Sequence, residues 1–97
     1  MLVGLERFDL RIPGCGSLKE KRHVVKTLTA GLRQKFNVSV AEVDHHDLWQ
    51  RTTIAVSAVA GDAYHARRVL HEVEKFVDRF GRTEIIASEL SLHYPEE

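Results

Sequence analysis

A chain of 97 residues, 43% hydrophobic and 29% charged, can bury a useful core without disulfides or metals, and its balance argues against disorder. No apolar run nears the roughly 20 residues that span a bilayer, and the opening Met1–Arg7 reaches charge too soon for a signal peptide, so the mature chain is expected to start near Met1. Cys15 stands alone, which excludes an intrachain disulfide and points to a reducing, cytoplasmic setting.

Leu2 to Ile12 alternates as a strand does, with Leu2, Phe8, Leu10 and Ile12 on one parity and Arg7, Asp9 and Arg11 on the other; Glu6 breaks the pattern on the apolar side. Pro13, Gly14 and Gly16 end it. Ser17-Leu18-Lys19-Glu20 has capping-box spacing, with Glu20 expected to reach back to the Ser17 amide. The helix that follows is expected to run to about Phe36. Its apolar stripe, Leu18, Val24, Val25, Leu28, Leu32 and Phe36, fills an arc of about 120° at 100° per residue. Lys21 falls inside that stripe and is read as a snorkelling side chain.

Asn37–Asp44 and the β-branched Thr52–Ala60 read as the second and third strands, joined by the polar loop from Asp44 to Arg51. Asp62 suits an N-cap and Gly81 a C′ position for a second helix, in which Ala66, Val69, Leu70, Val73, Phe76, Val77 and Phe80 step by three and four. The last strand, about Thr83 to His93, is expected to place Ile86, Leu90 and Leu92 on one side and Glu89, Ser91 and His93 on the other. The order β-α-β-β-α-β is the split βαβ pattern. It predicts an α+β, ferredoxin-like sandwich over residues 1–97: a four-stranded antiparallel sheet of order 4-1-3-2 with both helices on one face. The other face, with Val3, Leu5, Arg7, Asp9, Arg11, Ala55, Ser57, Val59, Ile85, Ala87 and Glu89, is either solvated or covered by a second copy of the chain.

A formal net charge of zero conceals a split: residues 1–36 carry eight Lys/Arg against three Asp/Glu, and residues 37–97 six against eleven. On the first helix Lys19, Arg22, Lys26 and Arg33 lie within about 60° of one another. With Lys21, they suit a phosphate backbone, which needs no base contact for attraction. An ordinary solvated helix face is the rival reading. The capped helix start, flanked by Gly14 and Gly16, could also hold an anion on free amides. The sheet lacks the aromatics that stack bases in RNA-binding sheets, since Phe8 has the helix-facing parity. Trp49, with Gln50 and Arg51, either packs over the sheet edge or anchors a partner.

No catalytic site, metal or cofactor is expected. His45 and His46 are adjacent and point apart in extended chain, His65 and His71 fall on different helix faces, and no Cys or third histidine completes a ligand set. Cys15 has only His23 near it in sequence and no orienting acid. Small enzymes that resemble acylphosphatases use an arginine in the loop after the first strand, and Pro13-Gly14-Cys15-Gly16 has none.

The opening Met1-Leu2-Val3-Gly4, the run Ser17–Arg22, the block Phe36–Val43 and Leu48-Trp49-Gln50-Arg51 together closely resemble the YlxP-like family, small bacterial proteins classed as a domain of unknown function. The resemblance covers essentially the whole chain. It implies a ferredoxin-like fold and a genomic setting often beside genes for translation initiation and ribosome maturation; it supplies no catalytic residues. The expectation is therefore a non-enzymatic protein that binds rRNA or ribosomal subunits. The alternative is a homo-oligomeric or small-ligand-binding module with no nucleic-acid role.

Overall fold

The computed structural model describes residues 1–95; the last two residues of the predicted domain lie outside them. Alternation makes Leu2–Arg11 the first strand, β1, which buries Leu2, Gly4, Glu6, Phe8 and Leu10 on one face. Ser17 caps the first helix, α1 (Leu18–Lys35), its hydroxyl accepting from the Glu20 amide at 3.1 Å. The Glu20 carboxylate accepts from the Gly16 amide, at 3.2 Å, rather than from that of Ser17. One of the amides at the helix start that could serve an external anion is thus already occupied.

After β2 (Ser39–Asp44) and β3 (Arg51–Ala60), Asp62 caps α2 (Ala63–Arg79), accepting from the His65 amide at 2.8 Å. That bond, followed by the one from the His65 ring, holds the Asp62 carboxyl below its ordinary range. Gly81 follows the helix with φ of 86°, a left-handed turn that only glycine adopts without strain. The chain returns through β4 (Glu84–His93).

The strands form one antiparallel sheet in the order β2-β3-β1-β4, the ferredoxin-like arrangement. On one face α1 packs over β2, and α2 over β1 and β3. Between them lies a core of Phe8, Leu10, Leu28, Leu32, Ile54, Val56, Leu70, Val73 and Val77, each fully buried. Burying side chains of this size contributes roughly 1.5–3 kcal/mol apiece before the cost of ordering them. Close approach of α2 to the sheet requires a glycine in β1: a Cβ on Gly4 would sit 2.9 Å from Leu70 Cδ1 and 3.3 Å from Ala66 Cβ.

One element departs from the simple alternation. The β1–β4 register shifts between Asp9, opposite Ala87, and Leu10, opposite Ile85, leaving Ile86 as the extra residue of a β-bulge. Downstream of the bulge Leu90 and Leu92 face the helices as expected. Upstream the parity reverses, so Ile85 packs against the core while Ile86 is 50% exposed. Unbroken alternation would instead bury Ile86 and expose Ile85. No helix of the described residues is long and apolar enough to cross a membrane.

Candidate nucleic-acid interface

Since β1 and β2 both pair antiparallel with β3, they point the same way. The loop after β1 and the loop after β2 therefore leave the sheet at one end, beside the start of α1. They are tied together there: the Ile12 amide donates to the Gln50 carbonyl at 2.9 Å, and the Gln50 side chain donates to the Cys15 carbonyl at 3.3 Å. His45, at φ of 60°, makes the turn of the second loop, its ring 2.9 Å from the Thr53 hydroxyl. The His46 ring lies 3.2 Å from the Glu42 carbonyl. Both histidines are engaged with their own hairpin, and among the described residues no group of three His, Cys, Asp or Glu converges as a metal site.

Lys21 is not part of the exposed basic row. It is 1% exposed, and its ammonium donates to the carbonyls of His45 and His46, the latter at 3.1 Å, while pairing with Glu42 Oε2 at 3.1 Å. The angle that placed Lys21 in the apolar stripe was right; the loop brought polar partners to it, so the side chain had no need to snorkel. A lysine enclosed in this way cannot reach a phosphate. What it does is fasten the Asp44–Arg51 loop to the first turns of α1.

The remaining cations are at the surface. Lys19, Arg22, Lys26 and Arg33 are all exposed, and none forms an ion pair among the described residues. Arg33 spends one guanidinium N–H on the Val40 carbonyl, at 2.7 Å, which sets its head group against β2. Arg22 and Lys26 flank a cavity of about 330 Å³ that also meets Thr29, His46 and Asp47, so the basic row and the loop share one concave surface.

Trp49 stands in the loop between β2 and β3. It is 51% exposed and Leu48 49%, and with Asp47, Gln50 and Arg51 they surround a shallow hollow of about 430 Å³. The Arg51 Nε is buried without a hydrogen-bond partner among the described residues. Opposite it in the sheet stands Arg11, whose guanidinium is held by Glu84 at 2.6 Å. Phe8 is fully buried under the helices, leaving the open sheet face without its one candidate stacking ring. Cys15 is likewise buried, its thiol donating to the Ser17 carbonyl at 3.4 Å, a poor position for a nucleophile. The loop-anchoring role of Lys21 escaped sequence reasoning. Its apolar wheel position, unusual for a lysine, was the one available signal.

A family model described as protein of unknown function (DUF503) matches residues 3–90. The uncharacterized protein YlxP of Bacillus subtilis (strain 168) is 36% identical over 83 residues, covering 86% of this chain and 90% of its own length. Among solved structures, SnoaB, a cofactor-independent oxygenase from Streptomyces nogalater, superposes with a TM-score of 0.56 at 13% identity, over 100% of this chain and 96% of that one. A de novo designed protein, Foldit4, gives 0.54 at 11% identity, over 99% and 100%. At such identities the two structures speak for the fold alone.

Proposed function

The chain belongs to the DUF503 family, proteins of unknown function, and we propose that it is a non-enzymatic RNA-binding protein acting on ribosomal RNA or ribosomal subunits. The observation that carries this reading is the row Lys19, Arg22 and Lys26: three solvent-exposed cations on one helix face, none with a carboxylate partner among the described residues. Unpaired cations keep their full attraction for a polyanion, and displacing counterions from the RNA makes that attraction steeply salt-dependent. Beside them, the Lys21-anchored loop presents Trp49, a ring large enough to stack an unpaired base. Phosphate contacts would set orientation and Trp49 would favour single-stranded segments.

The test is binding of 16S and 23S rRNA fragments and isolated subunits across a salt series. The wild-type chain is expected to bind at low salt, and a Lys19→Glu/Arg22→Glu/Lys26→Glu variant to lose that binding while keeping its fold. Absence of wild-type binding at low salt refutes the reading.

A second reading, a homo-oligomer joined through the open sheet, has its own support. That face carries Val59 at 75% exposure, with Val3 opposite it in the register and the small Ala41 and Ala55 nearby. Light scattering at high concentration separates the two, since a monomer would count against the interface.

A further inference from the structure

The groove on the outer side of α2 holds an unused polar group. Glu6, in the central strand β1, is 3% exposed, and its Oε1 is buried with no hydrogen-bond partner among the described residues. It forms the floor of a cavity of about 450 Å³, walled by α2 and by Leu90 of β4. This lies toward β4, at the opposite edge of the sheet from β2 and α1, so it is independent of the RNA-binding surface.

The lining has two signs of charge in separate roles. Glu74 lines the same cavity as Glu6 and, after burial itself, is the second cause that pushes the Glu6 carboxyl up to about 7. Two carboxyls sharing a confined space resist ionising together, and either a proton on Glu6 or a bound cation relieves them. Arg67 and Arg68, also at this cavity, are exposed and form no ion pair among the described residues. Tyr64 and His71 complete the rim.

A divalent metal does not fit, because no three ligating side chains converge here among the described residues. A simple anion would meet the arginines but also the two carboxyls. A neutral donor would satisfy Oε1 and leave the carboxyl repulsion in place. A primary ammonium answers both, with three N–H donors and one positive charge, and the free guanidiniums then suit an anionic group on the same molecule.

We propose that this groove binds a small zwitterion of the amino-acid type, its ammonium on Glu6 and Glu74 and its carboxylate toward Arg67 and Arg68. Ligand and proton compete for Glu6, so affinity falls about tenfold per pH unit below 7. The other charged and titratable groups that face Glu6 across the cavity are Glu74, Arg67, Arg68, His71 and Tyr64.

The experiment is titration of the ¹⁵N-labelled full chain at pH 8 with each common amino acid, with 1,4-diaminobutane and with acetate. At least one amino acid is expected to shift the amides around Glu6, Arg67–Glu74 and Leu90, with the diamine at least tenfold weaker and acetate inert. Glu6→Gln, which keeps the side chain's shape, is expected to abolish the shifts and their pH dependence, while His71→Asn retains both. Arg67→Glu/Arg68→Glu, at exposed positions that do not endanger the fold, is expected to weaken binding at least tenfold. No response to any amino acid at 10 mM, shifts that persist in Glu6→Gln, or a diamine that binds more tightly than every amino acid would each overturn the assignment.

Discussion

Lys21 and Glu42 form an ion pair across the contact of α1 with β2, Nζ to Oε2 at 3.1 Å, with the lysine side chain 1% and the glutamate 21% exposed. Each partner has further bonds: the ammonium donates to two loop carbonyls, and Glu42 Oε2 accepts from the Thr52 hydroxyl at 2.5 Å. Burying two charges is costly, and a pair like this is sustained by the polar neighbours that use up its remaining hydrogen-bonding capacity.

Removing only the lysine leaves Glu42 with an uncompensated charge and two carbonyls without their donor. Lys21→Met is therefore expected to destabilise the fold by about 2–4 kcal/mol, less than the largest buried-pair losses because Glu42 retains some water. Urea denaturation gives the magnitude. Hydrogen exchange at His45–Gln50 should accelerate beyond that of the α2 core, since the anchoring of this loop is what is lost. An unchanged denaturation midpoint would mean that the pair contributes nothing.

Glu6 makes stability depend on pH in the opposite sense from a salt-bridged carboxylate. Its pKa is raised from 4.5 to about 7 by burial first and by Glu74 second, so the folded state holds the proton more tightly than the unfolded chain. The corresponding stability is fully present below pH 4.5 and is lost progressively as the pH rises to about 7. Glu6→Gln cannot ionise, and it is expected to flatten the profile and exceed wild type at pH 8 by on the order of 2 kcal/mol. Parallel wild-type and variant profiles between pH 5 and 8 would contradict this.

The fold was legible because local signals agreed with one another. The Asp62 cap, the stepping of Ala66 to Phe80 and the turn at Gly81 all specify the same helix. Ser17 likewise opens α1 as its spacing requires. What the sequence withheld were contacts made across long separations. Lys21 is 24 residues from the His45 carbonyl it serves, and a helical wheel shows only that its position is apolar. The bulge in β4 was hidden for a related reason. Ile85 and Ile86 are chemically identical, so alternation alone cannot tell which faces the core, and the choice is made by pairing with β1.

That ambiguity can be measured. Ile85 packs against the core cluster opposite Leu10, while Ile86 is half exposed at the bulge. Ile85→Ala is expected to cost about 2 kcal/mol through lost burial and an incompletely closed cavity. Ile86→Ala should stay within about 0.5 kcal/mol of wild type. Equal losses in urea denaturation would indicate that β4 does not hold this register in solution.

Trp49 offers a way to separate stacking from charge in RNA binding. Being 51% exposed, it has little to lose on truncation, and Trp49→Ala should leave stability within about 0.5 kcal/mol of wild type. If the ring stacks a base, the same change weakens binding to single-stranded RNA by about 1–3 kcal/mol, or roughly 5- to 150-fold. It removes no positive charge, so the dependence of affinity on salt should keep its slope. Arg22→Ala should behave in the converse way, lowering the slope by about 0.7–0.9 for one lost phosphate contact. Affinity measured at four salt concentrations for the three proteins distinguishes these effects. A Trp49→Ala variant that binds as tightly as wild type would confine RNA recognition to the helix.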